Sequence, residues 1–185
     1  MRIIAGRYKG RRLTAPPGAD TRPTSDRARQ ALFDMLMHAP WAEGALTGAT
    51  VLDVFAGTGA LGLEALSRGA ASATFIESGR PAAAALRANI AACGAESLCR
   101  VVAGDALKPP RGTASGLVFL DPPYGQGLVP RALAALAKTG WIVAGALLIA
   151  EVGVADPAPT DAPLLAERRF GAARICAWNQ PDGTG

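Results

Sequence analysis

Histidine is almost missing from this 185-residue chain; His38 is the sole example. The three cysteines, Cys93, Cys99 and Cys176, are an odd number without C-x-x-C spacing. No zinc site of usual spacing can be assembled from them, so no metal is expected, and a reduced, cytoplasmic compartment is the natural reading. Long apolar runs are lacking too. The stretch from Trp141 to Ala150 is about half of what a membrane span requires. No charged-then-apolar leader opens the chain, so a soluble protein is expected. At 185 residues there is room for one domain with a substantial core and hardly for two large ones. Charged residues are 18% against 50% apolar, which excludes a disordered majority.

The net charge of +4 is small, and its distribution carries more than its sum. Residues 1–30 hold eight cations, Arg2, Arg7, Lys9, Arg11, Arg12, Arg22, Arg27 and Arg29, against Asp20 and Asp26, and the rest of the chain is slightly acidic. A basic segment on an acidic body points to a polyanionic partner. Residues 2–14 have two short apolar pieces around Gly6 to Gly10, the pattern of a small β-hairpin with a basic turn, in which Tyr8 can stack. Pro16-Pro17-Gly18 breaks it. Thr24-Ser25-Asp26 then offers caps for a helix to about His38. Ala28, Leu32 and Met35 form its stripe, and Arg27 and Arg29 fall off that stripe, free to face phosphate or solvent.

From Thr50 the pattern becomes an alternation of strands and helices. Strands are expected at Val51–Phe55, Thr74–Glu77, Leu98–Val102, Leu117–Leu120 and Leu147–Val152. Helices intervene, one from Pro81 to about Cys93 closed by Gly94, another over about Leu128–Lys138. That rhythm predicts right-handed βαβ units and a largely parallel, doubly wound sheet. The end of the chain departs from it: Leu164–Phe170 and Arg174–Trp178 read as two tightly joined antiparallel strands at the sheet edge.

Gly57, Gly59 and Gly62 make G-x-G-x-x-G between a strand and a helix, and Glu77 lies twenty positions after Gly57 at the end of the next strand. The glycines permit a tight turn at a helix amino terminus, and Glu77 suits the hydroxyls of a ribose. This is a nucleoside site, open at this point to both NAD and S-adenosylmethionine. Asp53 suits a ligand bearing an ammonium group, and Asp105 suits an adenine amine; Phe55 and Ala106, beside them in the chain, belong to the same candidate site. A dehydrogenase would need a substrate domain and a proton-relay group, whereas the chain after residue 125 is short and has no histidine. Methyl transfer is favoured.

Asp121-Pro122-Pro123-Tyr124 follows the apolar run Gly116–Leu120, at a strand's carboxyl end. The prolines stiffen the turn and offer acceptors without amide donors. A carboxylate, the Pro122 carbonyl and the Tyr124 ring can converge on a planar exocyclic amine, whose two N–H bonds need two acceptors. Hydrogen bonds that improve as positive charge develops on nitrogen favour attack on an in-line electrophile, and Asp121 can take the proton afterwards.

Gly57-Thr58-Gly59 with Glu77, Asp105 and Asp121-Pro122-Pro123-Tyr124 resembles the Rossmann-type S-adenosylmethionine-dependent methyltransferases of exocyclic amines. The stretch from Arg2 to Leu13, with Thr21-Arg22-Pro23-Thr24 and Arg27 to Leu36, narrows this to the RsmD family of 16S ribosomal RNA guanine-N2 methyltransferases. The resemblance runs from Arg2 to about Trp178. It implies a class I methyltransferase fold, a seven-stranded mostly parallel sheet with an antiparallel carboxyl-terminal edge hairpin and a small hairpin-and-helix extension at the front. It also implies a monomer acting on 16S rRNA in an assembling 30S subunit.

On this reading residues 1–40 contact RNA through Arg7, Lys9, Arg11, Arg12, Arg22 and Arg27, and residues 41–185 form the catalytic domain. Asp53, Phe55, Gly57, Gly59, Glu77, Asp105 and Ala106 hold the cofactor, and Asp121, Pro122 and Tyr124 act on the base. The competing readings are a DNA adenine-N6 methylase, disfavoured because no separate target-recognition domain is visible, and a non-catalytic ribosome-assembly factor, disfavoured by the intact glycines and carboxylates. No residue in the motif shows why guanine is chosen over adenine or cytosine.

Overall fold

The computed structural model describes residues 1–16 and 24–181. After the amino-terminal segment the chain forms α1 (Thr24–His38), β1 (Thr50–Val54), α2 (Ala60–Ser67), β2 (Ser72–Glu77), α3 (Arg80–Cys93) and β3 (Cys99–Ala103). There follow β4 (Ser115–Leu120), α4 (Leu128–Lys138), β5 (Ile142–Gly153), β6 (Ala166–Phe170) and β7 (Ala173–Asn179). The seven strands make one sheet in the order β3-β2-β1-β4-β5-β7-β6. The first five are parallel, and β7 and β6 are added antiparallel at the edge beside β5. This is the Rossmann-like architecture with a carboxyl-terminal edge hairpin that the alternation and the resemblance predict.

Both faces of the sheet are covered, which is why its central strands read as nearly continuous apolar runs. On one face α1, α2 and α3 lay Leu32, Phe33, Leu63, Leu66, Leu86 and Ile90 against Val51, Phe75, Phe119 and Ile149. On the other, α4 packs Val129, Ala132 and Leu136 against Leu52, Val118, Leu148 and Trp178. Trp141 is fully buried on that side, its indole N–H donating to the Pro110 carbonyl at 2.7 Å. α3 begins with a proline in its first turn and stops at Gly94, whose φ of 61° gives the left-handed end that helices favour.

Three expectations are corrected. The amino-terminal hairpin is reduced to a single bridge, Arg2 with Arg12. Ile3 and Leu13 turn into the core, and the Ile4 and Ala5 amides donate to the Glu64 carboxylate at 2.7 and 3.1 Å instead of to a partner strand. On α1 the buried face is Ala28, Leu32, Phe33 and Leu36, with Met35 only at its margin. Arg29, expected at phosphate or solvent, is 5% exposed. Its Nη2 donates to the Arg2 carbonyl at 2.7 Å and to Asp26 at 2.9 Å. The Pro16-Pro17-Gly18 break runs into, and the Thr21-Arg22-Pro23 stretch lies within, residues 17–23, outside the described part of the chain.

Candidate active site

Register across the parallel strands sets the site. Val54 pairs with Ile76 and with Leu120, and Leu120 pairs with Ala150. One step further along each strand stand Phe55, Glu77, Asp121 and Glu151, a row at the carboxyl rim of the sheet. The strand order reverses between β1 and β4, the place where an open α/β sheet forms its crevice. A cleft of about 220 Å³ opens there. Its floor is Asp53, Phe55, Phe119, Asp121, Ile149 and Glu151; the turn from Ala56 to Thr58 forms one wall, and Arg29 and Leu32 of α1 form another.

The turn after β1 is built around positive φ. Gly57 and Gly59 have φ of 54° and 79°, and Phe55 itself sits at 61°. A bulky residue there costs about 1–2 kcal/mol, so the surrounding structure holds it. At Gly62 the constraint is space, because a Cβ would come within 2.4 Å of the Phe75 ring. The Gly62 amide donates to Asp53 Oδ2 at 2.8 Å. Asp53 is 1% exposed, and its carboxyl is pushed from 3.8 up to about 8. Burial is the main cause; the Gly62 N–H opposes it, and the charges of Asp121 and Glu77 add to it. A carboxyl so placed holds its proton near neutral pH unless a cation is brought beside it. Arg29 of α1 also lines the cleft, and its buried Nε finds no hydrogen-bond partner among the described residues.

Glu77 is spent locally. One oxygen accepts from the Gly57 amide at 2.7 Å and the other from the Gly79 amide at 2.6 Å, so it pins the glycine turn while each oxygen retains a second lone pair. Asp105 is exposed and accepts from the Leu107 amide at 2.8 Å, and Ala106 is buried under the rim. Glu77, Asp105 and Ala106 sit at the ends of β2 and β3, outside the lining of the 220 Å³ cleft, which is closed mainly by β1, β4 and β5.

At the end of β4 Asp121 is exposed and lines the cleft, while Pro122 is buried. Tyr124 is half-buried and lines a smaller neighbouring cavity of about 40 Å³ with Pro122 and Pro123. The wall common to both cavities is Glu151, which accepts the Tyr124 hydroxyl. Asp156 braces the loop: it accepts from the Gly125 amide at 3.0 Å and the Gly153 amide at 2.9 Å. Sequence reasoning missed Glu151 and Arg29 as cleft residues. A carboxylate inside the apolar run Leu147–Val152 was the available signal for the first.

Arg7, Lys9, Arg11, Arg12 and Arg27 are all exposed, and Arg22 lies outside the described residues. The segment bearing them is fastened to α2: besides the bonds to Glu64, the Arg7 amide donates to the Ser67 carbonyl and the Tyr8 amide to Ser67 Oγ, both at 2.9 Å. Tyr8 has the Arg7 guanidinium over its ring at 4.7 Å. Among the described residues no group of three or more His, Cys, Asp or Glu is arranged to hold a metal ion, and no helix is long and apolar enough to cross a membrane.

Comparison with known proteins is consistent along the chain. A family model described as conserved hypothetical protein 95 matches residues 1–179. The protein called ribosomal RNA small subunit methyltransferase D in Escherichia coli K12 is 41% identical over 162 residues, covering 86% of this chain and 78% of that one. Its namesake in Haemophilus influenzae is 35% identical over 178 residues, covering 92% and 89%. The solved structure of yhhF from Escherichia coli superposes with a TM-score of 0.82 at 37% identity, over 99% of both chains.

Proposed function

We propose, from the premise that the chain belongs to the RsmD family, that it is an S-adenosylmethionine-dependent ribosomal RNA methyltransferase whose target is the exocyclic N2 of one guanine in 16S rRNA. The observation that carries the reading is the single cleft shared by the Gly57–Gly62 turn and Asp121, at the switch point of the sheet. The substrate is an RNA presented on an assembling 30S particle, and the protein works as a cytoplasmic monomer without a metal. Residues 1–40 serve as the RNA-contacting extension and residues 41–185 as the catalytic domain.

The cofactor fits the residues present. An α-amino acid end needs an acceptor for its ammonium and a donor for its carboxylate, and Asp53 and Arg29, whose buried Nε has no partner among the described residues, both line the cleft. Glu77 retains lone pairs for ribose hydroxyls, and Asp105 offers an acceptor for the adenine amine. When bound, S-adenosylmethionine supplies an electrophilic methyl on its sulfonium.

The chain's own residues do the rest. Asp121 and the Pro122 carbonyl accept from the two N–H bonds of the base amine and orient its nitrogen toward the methyl. Those bonds strengthen as the nitrogen becomes cationic, so they favour the transition state over the ground state. Asp121 takes the proton once the alkylated nitrogen is acidic. Tyr124 gives the base a stacking face. The exposed cations of the amino-terminal segment hold phosphates outside the acidic cleft, so the base enters from an unpaired or extruded nucleotide.

Incubation of undermodified 30S subunits and of naked 16S rRNA with labelled cofactor, followed by nucleoside mass spectrometry, tests this. N2-methylguanine mapping to one nucleotide is expected. Label in another nucleoside, or in duplex DNA instead, would overturn it.

A further inference from the structure

Nothing in an amine-gripping pair of acceptors selects guanine. Adenine N6 and cytosine N4 also offer two N–H donors. The bases differ at a ring nitrogen next to the amine-bearing carbon: guanine N1 carries a proton, whereas adenine N1 and cytosine N3 are bare acceptors. A site that reads guanine therefore needs an acceptor beside the amine grip.

Glu151 stands there. It follows Ala150, whose register partner Leu120 precedes Asp121, so Glu151, inside β5, and Asp121, just past the end of β4, stand at the same level on adjacent parallel strands and line one cleft. Neighbouring strands run about 4.8 Å apart, so side chains at the same level on β4 and β5 can converge on one base. Glu151 is the one half-buried position in a stretch of β5 that is otherwise buried and apolar from Ala146 to Ala150 and at Val152, so the strand opens to the cleft at this carboxylate. The Tyr124 hydroxyl donates to Oε1, which ties the carboxylate to the ring at the end of the Asp-Pro-Pro-Tyr turn. That bond uses one of two oxygens.

We infer that Glu151 is the specificity-determining residue for guanine, accepting N1–H of the base whose N2 is held by Asp121 and the Pro122 carbonyl. The assignment rests on the methyltransferase reading above. The same carboxylate faces adenine N1 or cytosine N3 with lone pair against lone pair, so it rejects the wrong bases as well as attracting the right one. Tyr124 is then a positioning residue for Glu151 in addition to a stacking surface.

The test compares two substrates and two proteins. In 16S rRNA, the guanosine that the wild type modifies is replaced, by splint ligation, with 2-aminopurine riboside, which keeps the C2 amine but has a bare N1. The wild type is expected to prefer guanine by about 10- to 100-fold in kcat/KM, the worth of one hydrogen bond to a charged group. Glu151→Gln keeps an acceptor for the Tyr124 hydroxyl and turns an N–H toward N1. It should slow guanine methylation, narrow the preference by about tenfold, and bind S-adenosylhomocysteine as the wild type does. Because 2-aminopurine also lacks O6, the narrowing in the variant is what assigns the preference to Glu151.

Equal wild-type rates on the two RNAs, a measurement that needs no variant, would overturn the assignment. So would an unchanged ratio in Glu151→Gln. If the wild type forms no N2-methylguanine at all, the reading of the enzyme fails, and the assignment with it.

Discussion

Asp53 gives the sharpest quantitative test of the site. Its carboxyl lies under the glycine turn with a folded-state pKa raised from 3.8 to about 8, chiefly by burial. An acid raised in this way leaves stability untouched below about pH 4, where both states hold the proton. Between about pH 4 and 8 the unfolded chain ionises while the folded one does not, so stability falls as pH rises, and above about 8 the loss is complete. Four pH units at about 1.4 kcal/mol each give an upper limit of roughly 6 kcal/mol; relaxation around the buried group brings this to about 2–5 kcal/mol, still large against a typical domain stability. Asp53→Asn keeps an oxygen for the Gly62 amide and removes the titration. Urea unfolding of both proteins at pH 5, 6, 7 and 8 without cofactor, taken as wild type minus variant, cancels the titrating groups that do not interact with Asp53. The difference should fall by at least about 2 kcal/mol across that range. A flat difference, or one that rises with pH, would refute the placement of Asp53 as a buried, protonated acid.

Asp121→Asn should slow methyl transfer by orders of magnitude while S-adenosylhomocysteine affinity, read by calorimetry, stays nearly constant; an unaltered rate would remove Asp121 from the chemistry. Replacing Arg11 and Arg12 together by Gln should weaken RNA binding and lower the slope of log K against log salt by about 2, one unit for each phosphate that is no longer neutralised. The same slope in the variant would make the basic segment a solvated tail. Glu64→Ala removes the acceptor of the Ile4 and Ala5 amides and of Arg68 Nε, the last at 2.7 Å. It should cost about 3–5 kcal/mol and expose the segment to trypsin, so an unchanged cleavage rate at Arg7 to Arg12 would count against this anchor. Gly62→Ala forces a methyl to 2.4 Å from the Phe75 ring and 3.1 Å from Asp53 Oδ2, and should lower stability by about 1–3 kcal/mol in thermal unfolding. An unchanged midpoint would mean that the helix shifts freely.

The architecture was legible in the sequence because its signals are local: apolar runs of strand length, glycine after β1, proline at the start of α3 and Gly94 at its end. The site was half legible. Gly57, Asp53 and Asp121 converge as their strands' ends require. Glu77 and Asp105 reach the same rim, yet their carboxylates are engaged by nearby backbone amides, which no residue spacing reveals. The amino-terminal segment was misread for a related reason. Its alternation suits a hairpin, but the acceptor for the Ile4 and Ala5 amides is Glu64, some sixty residues away on α2. Arg29 looked like a surface cation because it falls beside the Ala28 and Leu32 stripe; the carbonyl of Arg2, which draws it inward, belongs to a distant turn of chain. Glu151 was hidden inside a strand where a single acidic residue reads as noise until register sets it beside Asp121.

The two prolines that follow Asp121 bear on what leaves the enzyme as well as on what enters. A turn that offers acceptors and no amide hydrogen at either proline matches an NH2 group, whose two hydrogens meet two acceptors, but a singly methylated nitrogen has one hydrogen left and a bulkier face. On the proposed reading the product would fit this turn less well than the starting base, so release after one methylation is the expected outcome, and dimethylated guanine in the product RNA would count against it.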